Sequence, residues 1–127
     1  MMAYLGPIRR WDIFWADLEP VVGREQAGTH RPVLVVSNDQ FSSSALQLVM
    51  VVPLTAREGK IRKFLSFEIP LPTGVIDDGV TPVAMTQQLR TISTLRLLKH
   101  AGRLDRSSIR ERIEDALLSH LGIELEA

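Results

Sequence analysis

Sustained helical periodicity occurs in one place in this 127-residue chain, its last twenty residues or so; what precedes it is a series of short apolar runs cut by turn signals. The runs are Ile13–Leu18, Val33–Ser37, Leu46–Leu54, Pro82–Leu89 and His100–Leu104, with a period of two over Phe64–Ile69 that reads as a hairpin arm. Pro53 suggests that strand pairing stops near the end of the third run. Thr73-Gly74 and Asp77-Asp78-Gly79 are turns, Asn38-Asp39 starts a short helix or turn through Ser44, and the basic stretch Arg57–Lys63 around Gly59 reads as an exposed loop. At the C-terminal end, Ser108-Ile109-Arg110-Glu111 has the form of a capping box. Ile109, Ile113, Ala116, Leu117 and Leu121 follow on one helical face, and Gly122 is a natural stop. Many short strands and one amphipathic helix imply a mainly β fold with short α elements: a small, closed or half-closed β-barrel with the helix against it.

The length suits one domain over residues 1–127, and 45% apolar residues supply its core. The absence of cysteine leaves no disulfide framework and no thiolate chemistry. No apolar run reaches the roughly 18 residues of a membrane span, and Met1–Pro7 lacks a secretory layout. These features lead us to expect a cytoplasmic protein with no membrane partner. The net charge of zero argues against a general nucleic-acid coat. Residues 105–127 hold 3 Arg against 6 Asp and Glu, so the remainder is mildly basic and has room for a local cationic groove.

Chemistry concentrates in Gly23-Arg24-Glu25-Gln26-Ala27-Gly28-Thr29-His30-Arg31-Pro32, a polar loop running straight into the apolar strand Val33–Val36. Arg31 heads that strand, and Thr55 lies at the end of the next long one; adjacent strands would bring the two together. A planar fork of charged donors beside a hydroxyl is a good phosphate cradle. Glu25, Gln26 and His30 could supply acid–base or orienting groups. Each has a plainer alternative: Arg31 pairing with a surface carboxylate, Thr55 as a strand-end residue, His30 solvated, Gln88 and Arg90 satisfying backbone groups between strands. Trp11, Phe14 and Trp15 read as core or subunit interface, with base stacking the alternative. His30, His100 and His120 are far apart, and no phosphate loop, dinucleotide fingerprint or nucleophile elbow appears, so neither a metal nor an organic cofactor is expected.

The order of motifs carries a resemblance. Asp12-Ile13-Phe14-Trp15-Ala16-Asp17-Leu18-Glu19-Pro20, Gly23-x-Glu25-Gln26-x-Gly28, His30-Arg31-Pro32, Val51-Val52-Pro53-Leu54-Thr55, Gln88-Leu89-Arg90-Thr91-Ile92, Arg96-Leu97 and Gly102-Arg103-Leu104 together closely resemble MazF/PemK-type toxins over about residues 9–121. The resemblance implies an SH3-like barrel with added helices, usually a homodimer. It also implies a toxin of a type II toxin-antitoxin system, acting as an endoribonuclease on short motifs of single-stranded RNA. The implied partner is an antitoxin whose C-terminal tail fills the RNA groove. The matching catalytic positions are Arg31 and Thr55, with Glu25 assisting; Arg24, Gln26, His30, Gln88 and Arg90 are the expected RNA contacts. Thr29 lengthens the loop relative to many members, Arg24 stands where Ser or His is common, and Trp11 replaces a frequent Gly. Met85 and Gln87 take the places of an Arg and Asp pair that one subgroup uses. Two other readings share the fold: a toxin that binds a protein target such as DNA gyrase without cutting, and an inactive binding module.

Overall fold

The computed structural model describes residues 2–57, 67–76 and 81–124. Its strands are β1 (Asp12–Ala16), β2 (Arg31–Val35), β3 (Leu48–Arg57), β4 (Glu68–Pro70), β5 (Thr81–Met85), β6 (Arg90–Ser93) and β7 (Leu97–Arg103). They form an antiparallel sheet in the order β4-β5-β3-β2-β1-β7, with β6 paired to β3. A single turn, α1 (Asp39–Ser42), is capped by Asn38, whose side chain accepts from the Phe41 N–H at 2.8 Å. The helix α2 (Ser107–His120) closes the described chain.

Val33–Val36 is continuously apolar because this part of the sheet is covered on both faces. Ile13, Leu34, Val52 and Leu54 enter one core cluster with Ile113 of α2, and Ile109, Ala116 and Leu117 pack against it. Phe14, Ala16, Val33, Val35, Val49 and Val51 enter a second, flanked by Tyr4 and Ile8. Burying an aliphatic or aromatic side chain of this size contributes about 1.5–3 kcal/mol, so strict alternation between two dry faces fixes the strand register.

The sheet curls without closing, which selects the half-closed form expected from sequence. An isolated antiparallel bridge, Ile76 to Gly102, ties the segment after β4 to β7. A Cβ at Gly102 would stand 1.9 Å from the Val75 carbonyl oxygen, so this approach requires glycine.

Several element expectations change. Pairing does not stop at Pro53: Val33–Pro53 is the last β2–β3 pair, but β3 runs on to Arg57 by pairing with β5. The expected strand over Pro82–Leu89 is broken. From Leu54 back to Val51 is three residues, while from Ala84 to Arg90, their partners, is six; the surplus forms the 3-10 turn Thr86–Gln88. The capping box does not form, because α2 starts at Ser107 with Arg106 at its N-cap and no side-chain cap. Instead Arg110 Nε donates to the Leu104 carbonyl at 2.7 Å and secures the first turn. Leu121 leaves the apolar face, since it is the C-cap and 62% exposed. Gly122, at φ +71°, does stop the helix; its N–H and that of Ile123 bond back to Ser119 and Leu118 in the Schellman pattern. The expected loop over Arg57–Lys63, apart from Arg57 at the end of β3, lies outside the described residues, as do residues 64–66 of the hairpin arm and the turn at Asp77–Gly79.

Gly102→Ala is expected to cost about 1–3 kcal/mol through the forced approach to Val75. The midpoint of urea unfolding measures it, and an unchanged midpoint would show that the Ile76–Gly102 bridge does not hold the sheet edge.

Candidate active site

The polar loop leaves β1 at Asp17 and returns to β2 at Arg31, and its neck is tied several times. Leu18 N–H donates to the Gly28 carbonyl at 2.8 Å, and Gly28 N–H donates to Glu19 Oε1 at 3.1 Å. Asp17 Oδ1 accepts from the Glu19 N–H at 3.0 Å. Arg96, from a 3-10 turn just before β7, donates Nη1 to the carbonyls of Asp17 and Glu19. These ties commit both neck carboxylates to the backbone and leave residues 20–27 as a rim. Within it, Glu25 Oε1 accepts from the Val22 N–H at 2.8 Å, across a turn with Gly23 at φ +60°.

Arg31, the first residue of β2, turns its guanidinium onto this loop. Nε donates to the Ala27 carbonyl at 3.1 Å. With the Gln26 amide oriented to satisfy both groups, its oxygen accepts from Nε and Nη2 at 3.2 Å each. Gly28 makes the approach possible: its φ is +134°, and a Cβ there would lie 3.2 Å from Arg31 Nε. Every described partner of Arg31 is a neutral oxygen, and no carboxylate pairs with it among the described residues. The alternative in which Arg31 serves a surface ion pair is therefore not the arrangement found. The guanidinium is held in place without losing its charge.

Thr55 follows from register. Val33 faces Pro53, and two residues further along each strand are Arg31 and Thr55. The recorded ladder ends before that point. Pro32 and Pro53 lack the N–H donors to extend it, so the strands carry these side chains past their last mutual bond. Thr55 is half-buried, pairs with Val83 of β5, and its hydroxyl makes no described hydrogen bond. Alternation places Arg31 and Thr55 on the face of Val33 and Val51. Arg90, opposite Val51, belongs to the same face; its Nη1 is buried and unpartnered among the described residues.

His30 goes elsewhere. Its ring stacks on Trp15 with centroids 4.5 Å apart and planes 8° from parallel, and Trp15 packs with the helix-covered cluster. Trp11 and Phe14 are core, as expected. Arg24 is exposed on the rim. Gln88 ends the turn Thr86–Gln88 and binds the loop rather than the strands: Oε1 accepts from Gln26 N–H at 3.1 Å and Nε2 donates to the Arg24 carbonyl at 3.0 Å. Sequence reasoning missed this use of Gln88 and the neck-holding role of Arg96, Asp17 and Glu19. Gln88 and Arg96 act on backbone more than sixty residues away, so their only sequence signal is their place in the motif series; Asp17 and Glu19 act within the loop itself. Among the described residues no group of three or more His, Cys, Asp and Glu could hold a metal, and each histidine has its own partner: Trp15, Asp12 and Thr86 respectively. A cavity of about 500 Å³ between α2 and β4, lined by Phe67, Ile69 and Arg112 among others, includes none of the loop residues. No helix among the described residues is long and apolar enough to cross a membrane.

Comparison with known proteins adds a family. Residues 9–121 match the model of the PemK-like, MazF-like toxins of type II toxin-antitoxin systems. The chain is 34% identical to Endoribonuclease MazF9 of Mycobacterium tuberculosis, over 91% of this chain and 98% of that one. It is also 34% identical to Endoribonuclease EndoA of Bacillus subtilis, over 91% and 96%. In fold it is similar to the crystal structure of MazF from Deinococcus radiodurans, with TM-score 0.74 and 24% identity over 93% of this chain and 99% of that one. One MazE-MazF crystal structure from the same organism, Form-II, gives TM-score 0.68 at 21% identity, over 94% and 99%.

Gly28→Ala is expected to displace the guanidinium, moving the Arg31 Nε–Hε resonance in a ¹⁵N correlation spectrum. Gly23→Ala, whose Cβ would meet nothing within 4 Å, should leave that resonance in place. An unmoved resonance in Gly28→Ala would mean that Gly28 does not set the position of Arg31.

Proposed function

This chain belongs to the PemK-like, MazF-like toxins of type II toxin-antitoxin systems, and from that premise we propose that it is a sequence-specific endoribonuclease cutting single-stranded RNA. The observation that carries the reading is the neutral-oxygen tether of Arg31: a guanidinium with no carboxylate partner among the described residues, on the strand register of Thr55, whose hydroxyl has no hydrogen bond among them. The relatives named Endoribonuclease MazF9 and Endoribonuclease EndoA support it.

In this reading the substrate's own 2′-hydroxyl is the nucleophile. Its oxygen attacks the adjacent phosphorus, the bond to the 5′-oxygen breaks, and the products are a 2′,3′-cyclic phosphate and a 5′-hydroxyl. Arg31 and Thr55 donate to the phosphoryl oxygens, where negative charge grows in the transition state. Glu25 takes the 2′-hydroxyl proton, and the leaving 5′-oxygen gains one from water at the open rim. Glu25 is the carboxylate of the rim, whereas Asp17 and Glu19 are spent on the neck. Arg24, His30 on its Trp15 platform, and Arg90 on the face of Arg31 and Thr55 supply contacts to the rest of the strand. Gln26 and Gln88 shape the rim. The protein works in the cytoplasm as a homodimer, and its antitoxin inhibits by laying a C-terminal tail in the RNA groove.

Two outcomes are expected. Arg31→Ala should lower cleavage of an RNA oligonucleotide by roughly 10²–10³, the usual loss for one transition-state donor, with the thermal midpoint near that of the wild type. Collapse of the fold with the activity would instead assign Arg31 a structural role. An oligonucleotide with a 2′-deoxy sugar at the scissile step should survive while its all-ribose counterpart is cut, in EDTA as well as without it. Cutting of both would remove the 2′-hydroxyl mechanism.

A further inference from the structure

Gln88 holds the loop in an unusual way. Its amide accepts from Gln26 N–H and donates to the Arg24 carbonyl, 62 and 64 residues away in sequence. These are the two peptide groups that flank Glu25. In a parallel sheet, a residue bonds its neighbour's flanking peptide groups in this same manner, one donor and one acceptor on either side. The Gln88 side chain thus replaces a missing strand beside the rim. Gln88 reaches the rim because the three-residue surplus between β5 and β6 forms a turn. On the other side of the clamp, Gln26 accepts from Arg31.

We propose that Gln88 is a positioning residue for the reaction: it fixes the Arg24–Gln26 segment and, through Gln26, the Arg31 guanidinium. This rests on the endoribonuclease reading for its catalytic consequence but not for its structural one. Each end of the Gln88 amide makes one bond within the protein, which fixes its orientation. Its influence on RNA passes through the position of Glu25 and Arg31.

The experiment combines amide exchange with kinetics on the full-length protein. In Gln88→Leu, which keeps the size and removes both bonds, the Gln26 N–H should exchange at least about tenfold faster and the Arg31 Nε–Hε resonance should move. In Gln88→Glu the acceptor for Gln26 N–H survives while an oxygen replaces the donor to Arg24. Exchange there should fall between wild type and Gln88→Leu, which keeps the test alive if the leucine variant folds poorly. With a short RNA substrate, kcat should fall about tenfold or more while KM stays within about twofold, the signature of lost positioning rather than lost binding. Unchanged Gln26 exchange in both variants would overturn the clamp. A raised KM with unchanged kcat, or an altered cleavage motif with Arg31 unmoved, would make Gln88 a direct RNA contact. If the wild-type protein cuts no RNA, the endoribonuclease reading fails, and the exchange result still decides whether Gln88 positions the loop.

Discussion

A guanidinium placed at a reactive position faces two opposing demands: it must be held still, and it must keep its charge. A carboxylate partner would satisfy the first and defeat the second, since a nearby anion competes with any phosphate for the same donors. Arg31 is instead held by the Ala27 carbonyl and the Gln26 amide oxygen. Neutral acceptors orient the fork, and no carboxylate among the described residues compensates its charge. The two acids at the neck of the loop are kept occupied, Glu19 by Gly28 N–H and Asp17 by Glu19 N–H, while Glu25 on the rim accepts from Val22 N–H through Oε1 alone.

The sheet converts this local arrangement into a site. Two dry faces leave β2 and β3 one register, and that register carries Arg31 and Thr55 beyond their last ladder pair, Val33–Pro53. Prolines at 32 and 53 bring no N–H donors to the stretch where the ladder runs out. The broken pairing along the other edge of β3 gives the turn that delivers Gln88 to the loop. Strand geometry, proline placement and one three-residue surplus between β5 and β6 therefore position these side chains.

What the sequence made legible was local. The apolar runs marked the strands, Asn38 marked its helix cap, Gly122 marked the helix end, and the loop before Val33 marked itself by composition. Reasoning failed where a distant partner decided the outcome. Pro53 reads as a strand stop until β5 takes over the pairing from β2. Ser108 reads as a cap until Arg106 starts the helix earlier. His30 shares the loop with Arg31, yet the ring goes to Trp15 and the guanidinium to Gln26. Gln88 and Arg96 bond to backbone far away in sequence, and backbone groups leave no residue-specific imprint to read.

The most direct test is the crystal structure of the protein with a short RNA bearing one 2′-deoxy sugar at the scissile step, bound but uncut. The account predicts the scissile phosphate in hydrogen-bond reach of both Arg31 and the Thr55 hydroxyl, with the Gln26–Arg31 contact intact. A phosphate seated away from both side chains, or a guanidinium that abandons Gln26 for a carboxylate, would contradict it.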